Sequence, residues 1–318
     1  MHKFDTLQII FNLKNRNEYI DRYFNLIMND EIKYNILIIS ELELKLDSKI
    51  ISNFSKYIHF INSDKEIKGM NDIFKNIANN SNILKQYKYI CLLEDDNYIF
   101  PEAIKECENF LNNSKNFIAC NGVSFLFTRE DLKYKFLNTY SSPHFSNDNL
   151  IERSKEYQKN GGIVYYSLIR SSVFTYISQK ITLIDDDNLS EVFFNYLLLL
   201  KGKVETLKTI YLAREYPRPK IYNIPSILDW IKNKKLIHDL NTIINEIIII
   251  SIEKKLSYKV LLENTIFYYL KIRFSGNSKK TSFFIKIKTK LLFLLLKKNS
   301  KVYGFLQKIN SNEKNKIK

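Results

Sequence analysis

Four short apolar runs punctuate the first 93 residues: Thr6–Leu13, Tyr34–Ser40, Tyr57–Asn62 and Tyr87–Leu93. Each is near-continuous rather than alternating, so each reads as a strand buried on both faces. Helical spacing intervenes. In Asn17–Met28 the apolar Tyr19, Ile20, Tyr23, Phe24 and Ile27 recur at three and four residues, and Gly69–Asn80 reads as a second helix. Pro101–Leu111 is a third, with Pro101 at the first turn, where a missing N–H does no harm. Asn116–Phe127 is strand-like again. Buried strands alternating with helices predict a mainly parallel sheet covered on both faces. In such sheets ligands bind beyond the carboxyl ends of the strands.

The second half is less regular. Asp131–Leu150 reads as an extended excursion, and Gly161–Arg170 as a turn and a strand. Leu189–Lys203 reads as a helix capped by Asn188 or Ser190 and stopped at Gly202, and a strand follows toward Arg214. From about Asp229 the pattern is helical. The expected organisation is an α/β domain over 1–228 and a helical C-terminal region over 229–318.

Charge separates these regions. The chain carries +15 in all. Residues 271–318 hold fourteen Lys/Arg against the single acid Glu313, a net +13, which leaves +2 on residues 1–270. In Ser282–Ile309, Phe284, Ile287, Leu291, Leu294 and Leu295 recur at helical spacing, with Lys286, Lys290 and Lys297 largely to another side. That pattern suits a helix lying in an anionic membrane interface, or one docked on the protein body. No apolar run approaches 18 residues, so no spanning helix is expected. The three cysteines have no C-x-x-C spacing, and no signal peptide is read at the start; both favour a reducing cytoplasm.

Against a nearly neutral body, Glu94-Asp95-Asp96 crowd three carboxylates at the end of the fourth apolar run. Like charges so close repel unless a cation offsets them. Two readings stand: oxygen ligands for a hard divalent cation, or a solvated turn before the helix that starts at Pro101. The loops Lys14-Asn15-Arg16, Ser40-Glu41 and Asn62-Ser63-Asp64 follow the other three runs and converge on the same crevice.

The string Leu93-Glu94-Asp95-Asp96-Asn97 with Pro101, preceded by an opening strand, a Lys/Asn-Arg loop and a first helix, resembles the pattern of GT-A-fold glycosyltransferases, particularly family-two-like bacterial ones. The resemblance covers residues 5–127 well and 160–216 weakly. It implies a GT-A-like fold and transfer of a sugar from a nucleotide-sugar donor, a UDP-sugar favoured, to a glycan or lipid-linked acceptor of a bacterial surface polysaccharide or glycolipid. It implies Mn²⁺ or Mg²⁺ held by Glu94 and Asp96, with Asp95 on the donor side or serving in place of Glu94. Lys14, Asn15 and Arg16 would face the nucleotide, Glu41 and Asp64 its base or ribose. Arg214 would meet the diphosphate or pair with a nearby acid. The family places a catalytic acid about eleven residues before a glycine that ends a late helix; counting back from Gly202 gives Glu191, a general base in an inverting reaction. The enzyme would then sit at the inner face of the cell membrane.

Rival readings are weaker. A nucleotidyltransferase would share the sheet and metal, but its opening loop is usually Gly-rich, and Asn12–Glu18 has no glycine. The basic tail suggests nucleic-acid binding but carries no recognisable motif for it. His2, His59, His144 and His238 are scattered and form no zinc-ligand pair.

Overall fold

A computed structural model of the protein describes residues 5–12, 16–27, 34–40, 46–63, 67, 69–130, 133–141, 143–161, 164–216 and 234–269. Lys14, Asn15, Glu41 and Asp64, and the amphipathic tail, lie outside the described residues.

The chain alternates as expected through its first half, except that the third apolar run, Tyr57–Asn62, is the sheet edge, with His59 and Phe60 exposed rather than buried on both faces. The strands are β1 (Thr6–Asn12), β2 (Asn35–Ser40), β3 (Ile58–Asn62) and β4 (Tyr89–Glu94). Between them lie α1 (Asn17–Ile27), α2 (Ser48–Phe54), α3 (Met70–Asn79) and the single turn α4 (Ser81–Leu84). β1 pairs in parallel with both β2 and β4, and β2 with β3. Leu7, Gln8, Ile9 and Ile10 are all fully buried, because helices cover both faces of the sheet. Gln8, polar on such a strand, accepts a 2.5 Å hydrogen bond from the Tyr23 hydroxyl on α1.

After β4 the chain makes β5 (Asn97–Ile99), α5 (Pro101–Asn113) and β6 (Phe117–Glu130). The excursion expected over Asp131–Leu150 contains a strand, β7 (Lys133–Ser141), antiparallel to β6. Then come α6 (Leu150–Asn160), β8 (Leu168–Arg170), α7 (Ser171–Ile181), α8 (Asp187–Lys201) and β9 (Lys203–Glu215). The described sheet has nine strands in the order β3-β2-β1-β4-β8-β6-β9-β5, with β7 also on β6. β8 is antiparallel to both β4 and β6 and sits between them. The cap of α8 differs from expectation: the Asp186 carboxylate accepts from Leu189 N at 2.8 Å, so the helix begins two residues early.

The C-terminal helices α9 (Lys234–Glu253) and α10 (Tyr258–Glu263) follow. Ile243, Ile247 and Ile250 of α9 join the same hydrophobic core as the sheet. Glu246 accepts from the Tyr176 hydroxyl and pairs with Lys180 at 2.7 Å, fixing α9 on α7. Among the described residues no helix is long and apolar enough to cross a membrane. Cys91, Cys107 and Cys120 are free and buried.

Candidate active site at the carboxyl end of the sheet

β1 and β4 are parallel neighbours with Phe11 opposite Glu94, so the chain after β1 and the turn after β4 emerge side by side. Asp95 and Asp96 form that turn and are 2% and 3% exposed. Arg16 reaches them from just before α1. Its Nη2 lies 3.1 Å from Asp95 Oδ1 and 2.9 Å from Asp96 Oδ2. Burial works to deprotonate the Arg16 guanidinium, but the two carboxylates outweigh it and raise its pKa above the ordinary value. A basic group that offsets Asp95 and Asp96 is therefore Arg16, just before α1.

The helix α1 supplies more. Tyr19 and Arg22 lie three residues apart on one side of it. The Arg16 guanidinium is 4.4 Å and that of Arg22 4.7 Å from the centre of the Tyr19 ring. Arg22 is 7% exposed. It donates from Nη1 to Glu215 Oε2 at 2.6 Å and to the Tyr134 hydroxyl at 3.0 Å, and from Nη2 to the Asp96 carbonyl at 3.4 Å. Burial opposes that charge; Glu215 and Tyr134 more than compensate, and hold Arg22 above the ordinary arginine range.

A second arm comes from β9 and the turn before β8. Arg214 stands opposite Asn97 on the antiparallel β5–β9 pair. It donates to the hydroxyls of Tyr140 (3.3 Å) and Tyr166 (3.4 Å). The Tyr166 hydroxyl in turn donates to Glu94 Oε1 at 2.7 Å. The two carboxylates that accept from one cation are thus Asp95 and Asp96, whereas Glu94 is turned to Tyr166. Glu94 ends the strand, where consecutive side chains leave in opposite directions, so it does not follow Asp95 to Arg16.

Asp95 and Asp96 fit a hard divalent cation, which takes one or two protein carboxylates and completes its shell with phosphate and water. Both have an oxygen within hydrogen-bond reach of one nitrogen, so the two oxygens face a common point. Among the described residues no group of three or more His, Cys, Asp or Glu is arranged to hold a metal ion.

Asp187, at the start of α8, lies against the N-terminus of α3. Its Oδ1 accepts from Met70 N at 2.5 Å. A Cβ at Gly69 would fall 2.2 Å from Asp187 Oδ2, so only glycine permits this approach. Asp185 accepts from Asn71 Nδ2 at 2.9 Å. Burial, reinforced by Asp186, lifts the Asp187 carboxyl to a pKa of about 6, although the amides of Met70 and Asn71 pull it down. Asp187 is tied to the acid turn through neighbours. The Tyr165 hydroxyl meets Met70 Sδ at 3.5 Å, and the Tyr165 ring packs edge-on at 5.1 Å against Tyr166, which holds Glu94.

Glu191, one turn further along α8, is exposed. Its charge acts on Tyr157 of α6 and helps, after burial, to raise that phenol's pKa. It therefore faces α6, while Asp187 faces α3. Of the residues singled out from sequence, Arg16, Glu94, Asp95, Asp96 and Arg214 come together. Asp187, Tyr166, Tyr19 and Arg22 were missed. A signal existed for Asp187: Ile184-Asp185-Asp186-Asp187-Asn188 repeats the pattern of Leu93-Glu94-Asp95-Asp96-Asn97, an apolar residue, three acids and Asn.

No protein-family model and no curated protein matches the sequence. Solved structures do resemble the fold. Staphylococcus aureus TarS 1–349 in complex with UDP-GlcNAc superposes with a TM-score of 0.53 at 12% identity, over 90% of this chain and 77% of that one. A longer S. aureus TarS structure matches at 11% identity and a TM-score of 0.44, over 76% of this chain; this chain spans 39% of that one. The mostly parallel sheet flanked by helices, with its acid turn after β4, has the GT-A glycosyltransferase fold.

Proposed function

We propose that the protein is a glycosyltransferase that moves a sugar from a nucleotide-sugar donor, a UDP-sugar favoured, to a glycan or lipid-linked acceptor in bacterial surface polysaccharide or glycolipid synthesis. The observation that carries this reading is the pair of buried aspartates, Asp95 and Asp96, held by Arg16 in the turn after β4 of a GT-A sheet. The UDP-GlcNAc complex of the similarly folded TarS supports the donor class.

Arg16 and Arg214 would face the donor diphosphate, the former pivoting from Asp95 and Asp96, the latter held by two tyrosine hydroxyls. Asp95 and Asp96 would hold Mn²⁺ or Mg²⁺, which when bound offsets the charge of the leaving diphosphate. Glu94 would orient Tyr166 and thereby the Arg214 guanidinium.

For the base, geometry favours Asp187 over Glu191. Asp187 meets the start of α3, whose Met70 touches Tyr165 beside Tyr166, and has a pKa near 6, ionised at neutral pH yet still basic, whereas Glu191 faces α6. In the inverting step the acceptor hydroxyl gives its proton to Asp187. Its oxygen forms the new bond to the anomeric carbon, and the carbon–phosphate-oxygen bond breaks with its electrons leaving on the nucleotide diphosphate. The basic tail, with net +13 over 271–318, would hold the enzyme at the anionic inner leaflet where lipid-linked acceptors reside. No nucleic acid is assigned as a partner.

The test is transfer from UDP-GlcNAc and other UDP-sugars, with product stereochemistry read by NMR. Asp187→Asn is expected to lower turnover about 10²-fold or more, with donor affinity retained, while Glu191→Gln stays near wild type. The converse pattern would return the base to Glu191; a product with the donor's anomeric configuration would remove the single displacement altogether.

A further inference from the structure

Asp239 lies on α9, outside the sheet, and is 1% exposed. Its Oδ2 accepts from two consecutive backbone amides, Asp185 N at 3.0 Å and Asp186 N at 2.9 Å. These are the two residues before Asp187. A carboxylate buried beside two other aspartates is unfavourable. Burial, and then the charges of Asp185 and Asp186, raise its pKa, and the two amide bonds only partly offset this.

Helix capping does not account for the arrangement. The N-cap of α8 is Asp186, whose own side chain takes the Leu189 amide. The amides bound by Asp239 precede the helix, so they fix the approach of the chain rather than satisfy an orphan donor of α8. Packing does not account for it either, since an apolar side chain of that size would fill the space without burying charge. What the two bonds do is lock the turn that carries Asp187. On its far side that turn is held by Asn71 on Asp185 and by Met70 N on Asp187. Asp187 is thus clamped between α3 and α9.

The geometry points to Asp239 as a positioning residue that sets where the Asp187 carboxylate stands, which makes the C-terminal helices part of the reacting centre. This rests on the reading of Asp187 as base. The bond that matters is to an acceptor oxygen, which an asparagine carbonyl supplies as well. Loss of both bonds would let the turn relax and free Asp187 from its seat on α3. A displacement of about 1 Å at such a group lowers turnover by up to 10²-fold.

The experiment uses the full chain with Asp239→Ala and Asp239→Asn, and two readouts. In the first, the Asp187 carboxyl is titrated by carbon NMR. The expected result is a fall from about 6 toward the ordinary aspartate value in Asp239→Ala, and no change in Asp239→Asn. In the second, UDP release from UDP-GlcNAc gives kcat and KM per folded molecule. Asp239→Ala should lose about tenfold or more in kcat with KM unchanged, Asp239→Asn should restore most of it, and Asp239→Ala should cost nothing further once Asp187→Asn is present. If the alanine variant does not fold, Asp239→Glu, which keeps the oxygens but sets them one methylene away, should show the same losses. An unaltered Asp187 titration in the Ala or Glu variant overturns the positioning role. An altered titration together with full turnover in Asp187→Asn leaves the positioning intact and overturns the base.

Discussion

At the scale of single residues, the site is governed by how few cations offset how many acids. Arg16 touches both Asp95 and Asp96 and is 16% exposed, so its removal takes a cation away from two buried carboxylates. Breaking one partner from a fully buried pair costs about 3–5 kcal/mol, and the partial exposure of Arg16 lowers that cost. Arg16→Ala is expected to lower Tm by several degrees, and millimolar Mn²⁺ to recover more Tm in the variant than in wild type. Equal responses to Mn²⁺ would remove the aspartate pair as a cation seat. Asp187 makes the opposite trade. Its folded pKa of about 6 lies above the unfolded value, so the folded state takes up a proton that the unfolded state releases. The stability it contributes when protonated is lost as pH rises from about 4 to 6, and at pH 7 its ionised form costs on the order of 1–3 kcal/mol. Asp187→Asn should therefore lose about 10²-fold or more in turnover yet be more stable than wild type at pH 7, with the gain vanishing near pH 4. Chemical denaturation at both pH values measures this directly; an asparagine variant less stable at pH 7 would mean that its bonds to α3 outweigh its burial.

At the scale of elements, the site is assembled from element ends. The N-terminus of α3 meets the N-terminus of α8 because Gly69 has no side chain to keep them apart. Gly69→Ala places a carbon 2.2 Å from Asp187 Oδ2, and one element must yield. The expected outcome is a fall in kcat of tenfold or more and an altered Asp187 titration, with β1–β4 packing unchanged by circular dichroism. Wild-type kcat in Gly69→Ala would show that Asp187 can move without consequence. The paired arms on α1 and β9 follow the same logic. Arg22 joins Glu215 at the end of β9 to the Asp96 carbonyl after β4, and so ties together strands that are far apart in sheet order.

At the scale of the whole molecule, charge is divided between a body of about +2 and a tail of +13. Deleting residues 279–318 should abolish sedimentation with anionic liposomes and leave UDP-GlcNAc hydrolysis intact; a truncated protein that still sediments would assign membrane binding to the body. The sequence by itself determined the parallel core and placed the acid cluster at the end of its fourth strand. Near-continuous apolar runs such as Tyr34–Ser40, short and alternating with helical spacing, read as strands of a covered sheet, and three acids after Leu93 mark the end of one. These are local properties, written in hydrophobic period and in charge spacing. It also reached Arg16 and Arg214, because each adjoins a strand end. Tertiary structure alone decided which groups meet. That Arg16 supplies the cation, that Glu94 turns to Tyr166, and that Asp187 rather than Glu191 meets α3 are contacts between residues 70 to more than 110 positions apart. Spacing along one helix locates a face but not what that face is packed against. Counting back from Gly202 reaches Glu191 on α8, whereas the acid that meets the glycine-led start of α3 is Asp187, one turn earlier, and that partner is distant in sequence and adjacent only in the fold.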